Sequence, residues 1–246
     1  MKNSKKLLKS VVLSMLVALG VVISPVLRFE GMCPMAHFIN IVCSVLLGPW
    51  WSLLCATLIG VIRMSTMAIP PIALTGAIFG AFLSGVFYRV SKGKLLFAVL
   101  GEIIGTGFVG AVCSYPVMTL LWGKTGLTWL FYVPSFVCGT LIGGSIAFVF
   151  LRKLAKAGLI EKMQNMLGER CYTDNSGYVS SGVTIAAFGV ICFLVIEILT
   201  GIFNMTAPVW SYISWGLMVC FVVAALIYII IKKSGRGDVS DIGKNY

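Results

Sequence analysis

The stretch MCPMAHFINIVCSVLLGPWWSLLCATLIGVIR, residues 32–63, decides how this chain folds. It is apolar almost throughout, but Gly48 and Pro49 interrupt it and Arg63 ends it. Because Gly and Pro break helices, the stretch divides into two segments of 14 to 16 residues. Each segment is shorter than the ~20 residues that cross a bilayer comfortably. We therefore predict a helical hairpin with tilted or partly re-entrant arms.

The composition around this hairpin places the chain in a membrane. Of the 246 residues, 59% are apolar and 11% are charged, and the mean hydropathy is +1.01. A soluble domain carries about 25% charged residues, so an ordinary soluble protein is excluded. Backbone polar groups in lipid must be satisfied within each segment, which favours helices. The sequence predicts an all-α polytopic membrane protein.

Six further apolar runs of membrane-spanning length lie outside the hairpin. The first follows four lysines, as a signal peptide would, but no small-residue cleavage site comes after it, which favours a retained helix. With the two arms of the hairpin, the runs make eight segments. The six runs cover residues 7–27, 69–90, 95–122, 127–151, 183–203 and 207–231.

The basic residues indicate the topology. A net charge of +11 would suggest nucleic-acid binding in a soluble protein, but here the Lys and Arg residues form short clusters between apolar runs. With a cytoplasmic N-terminus, all but three of the 19 basic residues face the cytoplasm, the exceptions being Arg28, Arg63 and Lys124. A single span over 32–62 would move every later cluster to the other side. We predict a multi-pass cell-membrane protein with both termini in the cytoplasm and no nucleic-acid partner.

A polar stretch near residue 170 gives the clearest boundary in the chain. We expect a six-helix transmembrane domain over residues 1–155 and a cytoplasmic linker over 156–180. A two-helix transmembrane extension over 181–231 and a cytoplasmic tail over 232–246 follow.

Small residues recur at every fourth position on several of the predicted helices. The rows are Gly76-Gly80-Ser84, Gly101-Gly105 and Gly139-Gly143-Ala147, with a weaker version at Ser14-Ala18. Such rows let helix backbones approach closely in lipid, so we expect the first three to pack helices together.

The residues offer little material for catalysis or for a cofactor. The letters of a dinucleotide-binding fingerprint occur at 105–110, but inside an apolar helical run with no preceding strand. The eight cysteines form no CxxC pair, and His37 is the single histidine, which argues against a zinc site or a disulfide framework. We expect no enzyme activity, no cofactor and no metal.

His37 and Asn40 are the first candidates for binding. They stand three residues apart, so they share one helix face, and we expect them near the outer surface. A neutral imidazole and a carboxamide both donate and accept hydrogen bonds, which suits a small, uncharged, polar heteroaromatic ligand. The alternative is that the pair satisfies the backbone of the hairpin.

Other polar or aromatic residues at membrane depth have two possible roles each. Arg63 anchors the third segment at lipid headgroups or caps the site. Glu102, placed nearer the cytoplasmic side, pairs with another helix or reaches the site. Tyr115 and Trp129 belong to an interfacial aromatic belt or stack on a ligand ring. Glu197 is also intramembrane, and the sequence assigns it no partner.

Two ordered motifs resemble a known family. The segment PMAHFIN at 34–40, followed by LLGPWW at 46–51, resembles the ThiW family of substrate-binding S components of energy-coupling factor (ECF) vitamin transporters. The segments GEIIGTG at 101–107, GA at 110–111 and YPV at 115–117 resemble a later helix of the same family. The similarity covers about residues 7–155.

The resemblance implies a six-helix membrane protein that captures hydroxyethylthiazole, a precursor of thiamin, from outside. Transport would require a transmembrane T component and two ATP-binding A subunits, with Ser14 and Ala18 of the first helix facing the T component. The site would lie in the outer half, under the loop at about 27–36. The two C-terminal helices are additional to the family pattern.

The sequence leads to one main hypothesis and leaves alternatives open. The chain is a high-affinity binding subunit, with His37 and Asn40 bonding the ring nitrogen or hydroxyl and Tyr115 or Trp129 stacking on the ring. Thiamin itself, or another small vitamin precursor, is an alternative ligand, and cationic thiamin would favour a nearby carboxylate such as Glu102. A stand-alone secondary carrier, with Glu102 and Glu197 as proton carriers, is an alternative mechanism.

Overall fold

The computed structural model describes residues 2–28, 32–172, 178–205 and 207–242. Within these residues the structure is helical and has no β-strand. Seven of the helices in this part of the chain are long and apolar enough to cross a membrane, and an eighth, shorter apolar helix covers Pro34–Leu47. The predicted class, an all-α polytopic membrane protein, is confirmed.

The chain divides into two compact units, Met1–Asp174 and Asn175–Tyr246. The second unit is a pair of packed helices, in which Gly189 accommodates the side chain of Phe221. The first unit contains α1 (Lys2–Ile23), α2 (Pro34–Leu47), α3 (Pro49–Met67), α4 (Ile72–Val90), α5 (Leu95–Leu121), α6 (Val133–Lys156) and α7 (Leu159–Leu167), and the second contains α8 (Tyr178–Ile202) and α9 (Val209–Ile242).

Gly48 joins α2 to α3, so the predicted break in the 32–62 stretch is confirmed. Gly48 has φ +85°, a left-handed conformation that glycine adopts without strain. A Cβ at this position would also collide with the guanidinium of Arg89. Pro49 then begins α3, where its missing N–H removes no helical hydrogen bond. Helix α2 has 14 residues and α3 has 19, so the second arm is longer than the sequence suggested.

Helix α2 forms the centre of the first unit. It contacts α1, α3, α4, α5, α6 and α7, and 12 of its 14 residues are buried. At ~1.5 Å per residue it is about 20 Å long, shorter than the ~30 Å hydrocarbon layer. A short, enclosed helix therefore places its first turn deep inside the bundle.

Glycines bring the backbones of α4 and α5 into direct contact. A Cβ added to Gly105 would lie 2.6 Å from Cα of Gly80, and one added to Gly101 would lie 2.5 Å from the carbonyl oxygen of Leu83. The predicted packing role of these small-residue rows is confirmed. Helix α5 also contains two π-helical stretches, Ile103–Gly110 and Val117–Leu121. Such widened turns are rare and are frequent at functional sites.

Charged and polar groups tie the helices together at one end of the first unit. Glu169 pairs with Lys9 of α1 and with Arg89 of α4, the latter at 2.7 Å. Gln164 of α7 is buried and donates to the carbonyl oxygen of Val45 at 2.8 Å. Helix α7, which lies within the segment expected to be a linker, therefore packs against the bundle through a buried side.

Candidate functional site

A small cavity lies between α2, α3, α4, α5 and α6 of the first unit. Its volume is about 60 Å³, which is room for about two water molecules at ~30 Å³ each. Apolar residues form most of the wall, and the polar lining residues are Arg28, Cys33, His37, Arg63 and Thr106. An apolar wall with a few convergent polar groups is typical of small-molecule sites, but this volume is well below the ~300–1,000 Å³ that is usual for them.

Glu102 of α5 organises the polar side chains beside this cavity. Its Oε1 atom lies 2.9 Å from His37 Nδ1, and it accepts hydrogen bonds from Asn40 Nδ2 at 3.0 Å and Thr106 Oγ1 at 3.1 Å. Glu102 is 0% exposed, and its Oε2 has no hydrogen-bond partner among the described residues. The cluster thus ties α2 to α5 through one buried oxygen.

Local sequence explains how α2 reaches this position. Pro34 begins the helix, and His37 and Asn40 follow on the face turned toward α5. Gly143 of α6 accommodates the carbonyl oxygen of Pro34, which a Cβ would strike. A Cβ on Gly139 would lie 3.4 Å from His37 Nε2. Two glycines of α6 therefore make room for the first turn of α2 and for the imidazole.

Glu102, for which the sequence left two possible roles open, contacts His37 on another helix. Glu102 was expected nearer the cytoplasmic side than His37, yet the two side chains are in contact. Helix α2 has only 14 residues, and its first turn lies at the level of Glu102 in α5. The length of this arm alone does not identify Glu102 as the partner.

Arg63 lies inside the bundle, in the cavity wall. It is 4% exposed, and its Nη2 donates to Cys33 Sγ at 3.5 Å. Its Nε has no partner, and no described carboxylate forms an ion pair with it. Of its two expected roles, headgroup anchor or cap over the site, this burial agrees with the second.

The two aromatic candidates lie together but outside the cavity lining. The rings of Tyr115 and Trp129 have centroids 4.5 Å apart, and Trp129 is 58% exposed. The aromatic ring in the cavity wall is instead that of Phe136, in the first turn of α6. Sequence reasoning did not select Phe136, because 15 phenylalanines are spread through the chain.

The second unit holds its own buried polar contact. Ser214 donates to Glu197 Oε1 at 2.5 Å, which gives this intramembrane carboxylate a partner that the sequence could not assign. A cleft of about 370 Å³ beside Glu197 is also lined by Asn204 and Trp210, near the α8–α9 turn.

Residues suited to a metal ion do not cluster in the described part of the chain. No group of three or more His, Cys, Asp or Glu side chains there is placed to hold one. The chemistry available at the cavity is therefore hydrogen bonding, one buried cation and an aromatic contact.

These features define a class: an α-helical multi-pass membrane protein whose first unit encloses a small, polar-lined cavity. Within that class, the chain belongs to the ThiW family. The family model described as "Thiamine-precursor transporter protein (ThiW)" matches residues 10–157, more than half of the chain. The match includes every residue that lines the cavity, and it confirms the resemblance seen in the sequence motifs. No curated protein and no solved structure matches the chain.

Proposed function

We propose that the protein is the substrate-binding S component of an ECF-type ABC transporter that takes up hydroxyethylthiazole. Membership of a family of thiamine-precursor transporters supports this proposal. The observation that carries it is the small cavity lined by His37 and Arg63 within the matched region. The protein binds and releases the ligand, and ATP hydrolysis belongs to its partner subunits.

The size and charge of the cavity favour the thiazole over intact thiamin. A volume of about 60 Å³ is small even for one ring, so a ligand with two rings requires the larger expansion of the cavity. The buried guanidinium of Arg63 lines the cavity, and like charges repel strongly where the dielectric constant is low. Thiamin carries a cationic ring, whereas hydroxyethylthiazole is neutral.

Four residues complete the proposed binding set around His37. Asn40 and Glu102 form the hydrogen-bond network that holds the imidazole of His37. Arg63 donates to the ligand, and Phe136 offers a ring face. Stacking by Tyr115 and Trp129 stays a prediction. It requires both rings to move toward the cavity.

Capture takes place under the outer loop at about 27–36, of which residues 29–31 lie outside the described structure. The end of the bundle that holds Lys9, Arg89 and Glu169 then faces the cytoplasm, together with both termini. Reorientation driven by the ATPase partners opens the site inward.

The partners are a transmembrane T component, two ATP-binding A subunits and the surrounding lipid. Ser14 and Ala18 lie on the exposed side of α1, so a partner helix can approach them closely. We assign the T-component contact to this face. Helices α8 and α9 lie outside the family match and form the proposed two-helix extension.

Calorimetric titration of the purified protein with hydroxyethylthiazole and with thiamin tests the proposal. We expect tight binding of the thiazole and much weaker binding of thiamin. Binding of neither ligand would overturn the ligand assignment. Uptake in cells that persists without the ATPase partners would instead support a secondary carrier.

A further inference from the structure

The contact between His37 and Glu102 determines which ring nitrogen carries a proton. Asn40 Nδ2 faces two acceptors, Glu102 Oε1 at 3.0 Å and the carbonyl oxygen of Ala77 at 3.4 Å, so the amide donates to both. The Thr106 hydroxyl also donates to Oε1. An oxygen that receives these two donors acts as an acceptor toward His37 as well, so Nδ1 carries the hydrogen.

The second ring nitrogen of His37 is then an acceptor. In a neutral imidazole only one nitrogen is protonated, so Nε2 presents a lone pair. No described residue hydrogen-bonds Nε2, the side chain is 8% exposed, and His37 lines the cavity.

We propose that Glu102 is a positioning residue that fixes His37 as a hydrogen-bond acceptor, so that the site selects ligands carrying a hydroxyl group. This inference rests on the proposed function and names the ligand group that His37 recognises. A thiazole nitrogen is itself an acceptor and cannot pair with Nε2, whereas a hydroxyl donates to it. Arg63 has only donors and supplies the matching contact for the ring nitrogen.

The single histidine of this chain allows a direct measurement of the tautomer. Protein labelled with ¹⁵N-histidine and purified with a histidine-free tag gives imidazole signals from His37 alone. We expect a protonated Nδ1 and an unprotonated Nε2 in the wild type. In Glu102→Gln, whose side-chain NH₂ can donate to Nδ1, we expect a larger population with hydrogen on Nε2. A wild-type protein with hydrogen on Nε2 alone would overturn the proposal.

A pair of ligands tests the selectivity that follows. The methyl ether of hydroxyethylthiazole has a methyl group in place of the hydrogen that the ligand donates, and the comparison with Glu102→Gln separates the lost hydrogen bond from the added bulk. We expect the ether to bind about tenfold more weakly to the wild type, because a buried acceptor is left without a partner. This ratio should shrink in Glu102→Gln. It should stay unchanged in Ser44→Ala, which removes a buried 2.7 Å hydrogen bond between α2 and α4 away from the cavity.

The outcomes separate the two proposals. Equal affinities of alcohol and ether in the wild type would overturn the role of His37 as an acceptor while leaving thiazole uptake in place. If neither compound binds, the proposed ligand is wrong, and the NMR measurement still decides the tautomer.

Discussion

Oε1 of Glu102 and Nδ1 of His37 lie 2.9 Å apart, although 65 positions separate the two residues in the chain. A carboxylate at membrane depth is costly unless it has partners, and here Asn40 and Thr106 donate to the same oxygen. The four side chains behave as one buried unit, which joins the short central helix α2 to the glycine-rich helix α5.

Removal of the shared acceptor should destabilise the bundle. Glu102→Ala leaves the buried polar groups of His37, Asn40 and Thr106 without their partner, so we expect a loss of about 3 kcal/mol or more in the free energy of unfolding. Thermal unfolding in detergent measures this loss. Glu102→Gln, which keeps one acceptor oxygen, should lose less. Equal melting temperatures for wild type and Glu102→Ala would contradict the role of the network.

Truncation of the polar pair on α2 should weaken ligand binding. For His37→Ala and for Asn40→Ala we expect a loss of about 1–3 kcal/mol in binding free energy, from lost buried hydrogen bonds. Calorimetric titration with hydroxyethylthiazole gives the value, with Ser44→Ala as the control for α2. Wild-type affinity in both variants would remove the site assignment and leave the family membership intact.

The aromatic contact can be assigned by comparing two substitutions. Phe136→Leu keeps an apolar side chain in the cavity wall but removes the ring, so we expect binding to weaken by about 0.5–1.5 kcal/mol. Trp129→Leu, at an exposed position outside the wall, should leave the affinity unchanged. The reverse result would favour stacking by the Tyr115–Trp129 pair, as the sequence suggested.

Close packing of α4 and α5 predicts a position-dependent effect of alanine. In Gly105→Ala the new methyl group meets the backbone of Gly80, so the helices must separate, and we expect a loss of about 1–3 kcal/mol. Gly201→Ala is the matched control, because a Cβ there meets nothing within 4 Å. The melting temperatures of the two variants, measured in the same detergent, give the comparison. An equally small effect at both positions would contradict the contact.

Cys171 tests the membrane topology through its reactivity. The thiol lies outside the membrane-spanning helices, and desolvation, followed by the nearby Glu161, raises its pKa. The reactive thiolate should therefore be scarce at neutral pH and increase as the pH rises. An impermeant maleimide should label Cys171 only after the cell membrane is opened, and Glu161→Gln should speed labelling. Labelling of intact cells at this cysteine would contradict a cytoplasmic location; Cys171→Ser identifies the signal.

The break at Gly48 and the shared helix face of His37 and Asn40 could be predicted from local sequence, whereas the end of α3 at Met67 could not. Gly48 ends α2 because glycine adopts its left-handed conformation without strain, and a spacing of three places two side chains on one helix face. Both effects act over a few residues, which makes them visible in a single sequence.

The partners of these residues could not be predicted. The contact of Glu102 with α2 depends on the depth at which two distant helices pass each other, which no local pattern reports. Arg63 ends an apolar run as a headgroup anchor would, and its 4% exposure, which favours a role in the cavity wall, could be seen only in the fold. Whether Phe136 or Trp129 lies in the cavity wall depends likewise on how α6 packs.

The enclosure of α2 by its neighbouring helices affects how a ligand reaches the protein. His37 and Asn40, two of the residues proposed to bind, stand on α2, of which 12 of 14 residues are buried. A compound that concentrates in the hydrocarbon layer does not reach these residues more easily, because the surrounding helices lie between it and α2. We therefore expect the ligand to arrive from the aqueous phase. More lipophilic analogues of the same ring should not bind better because of their solubility in lipid.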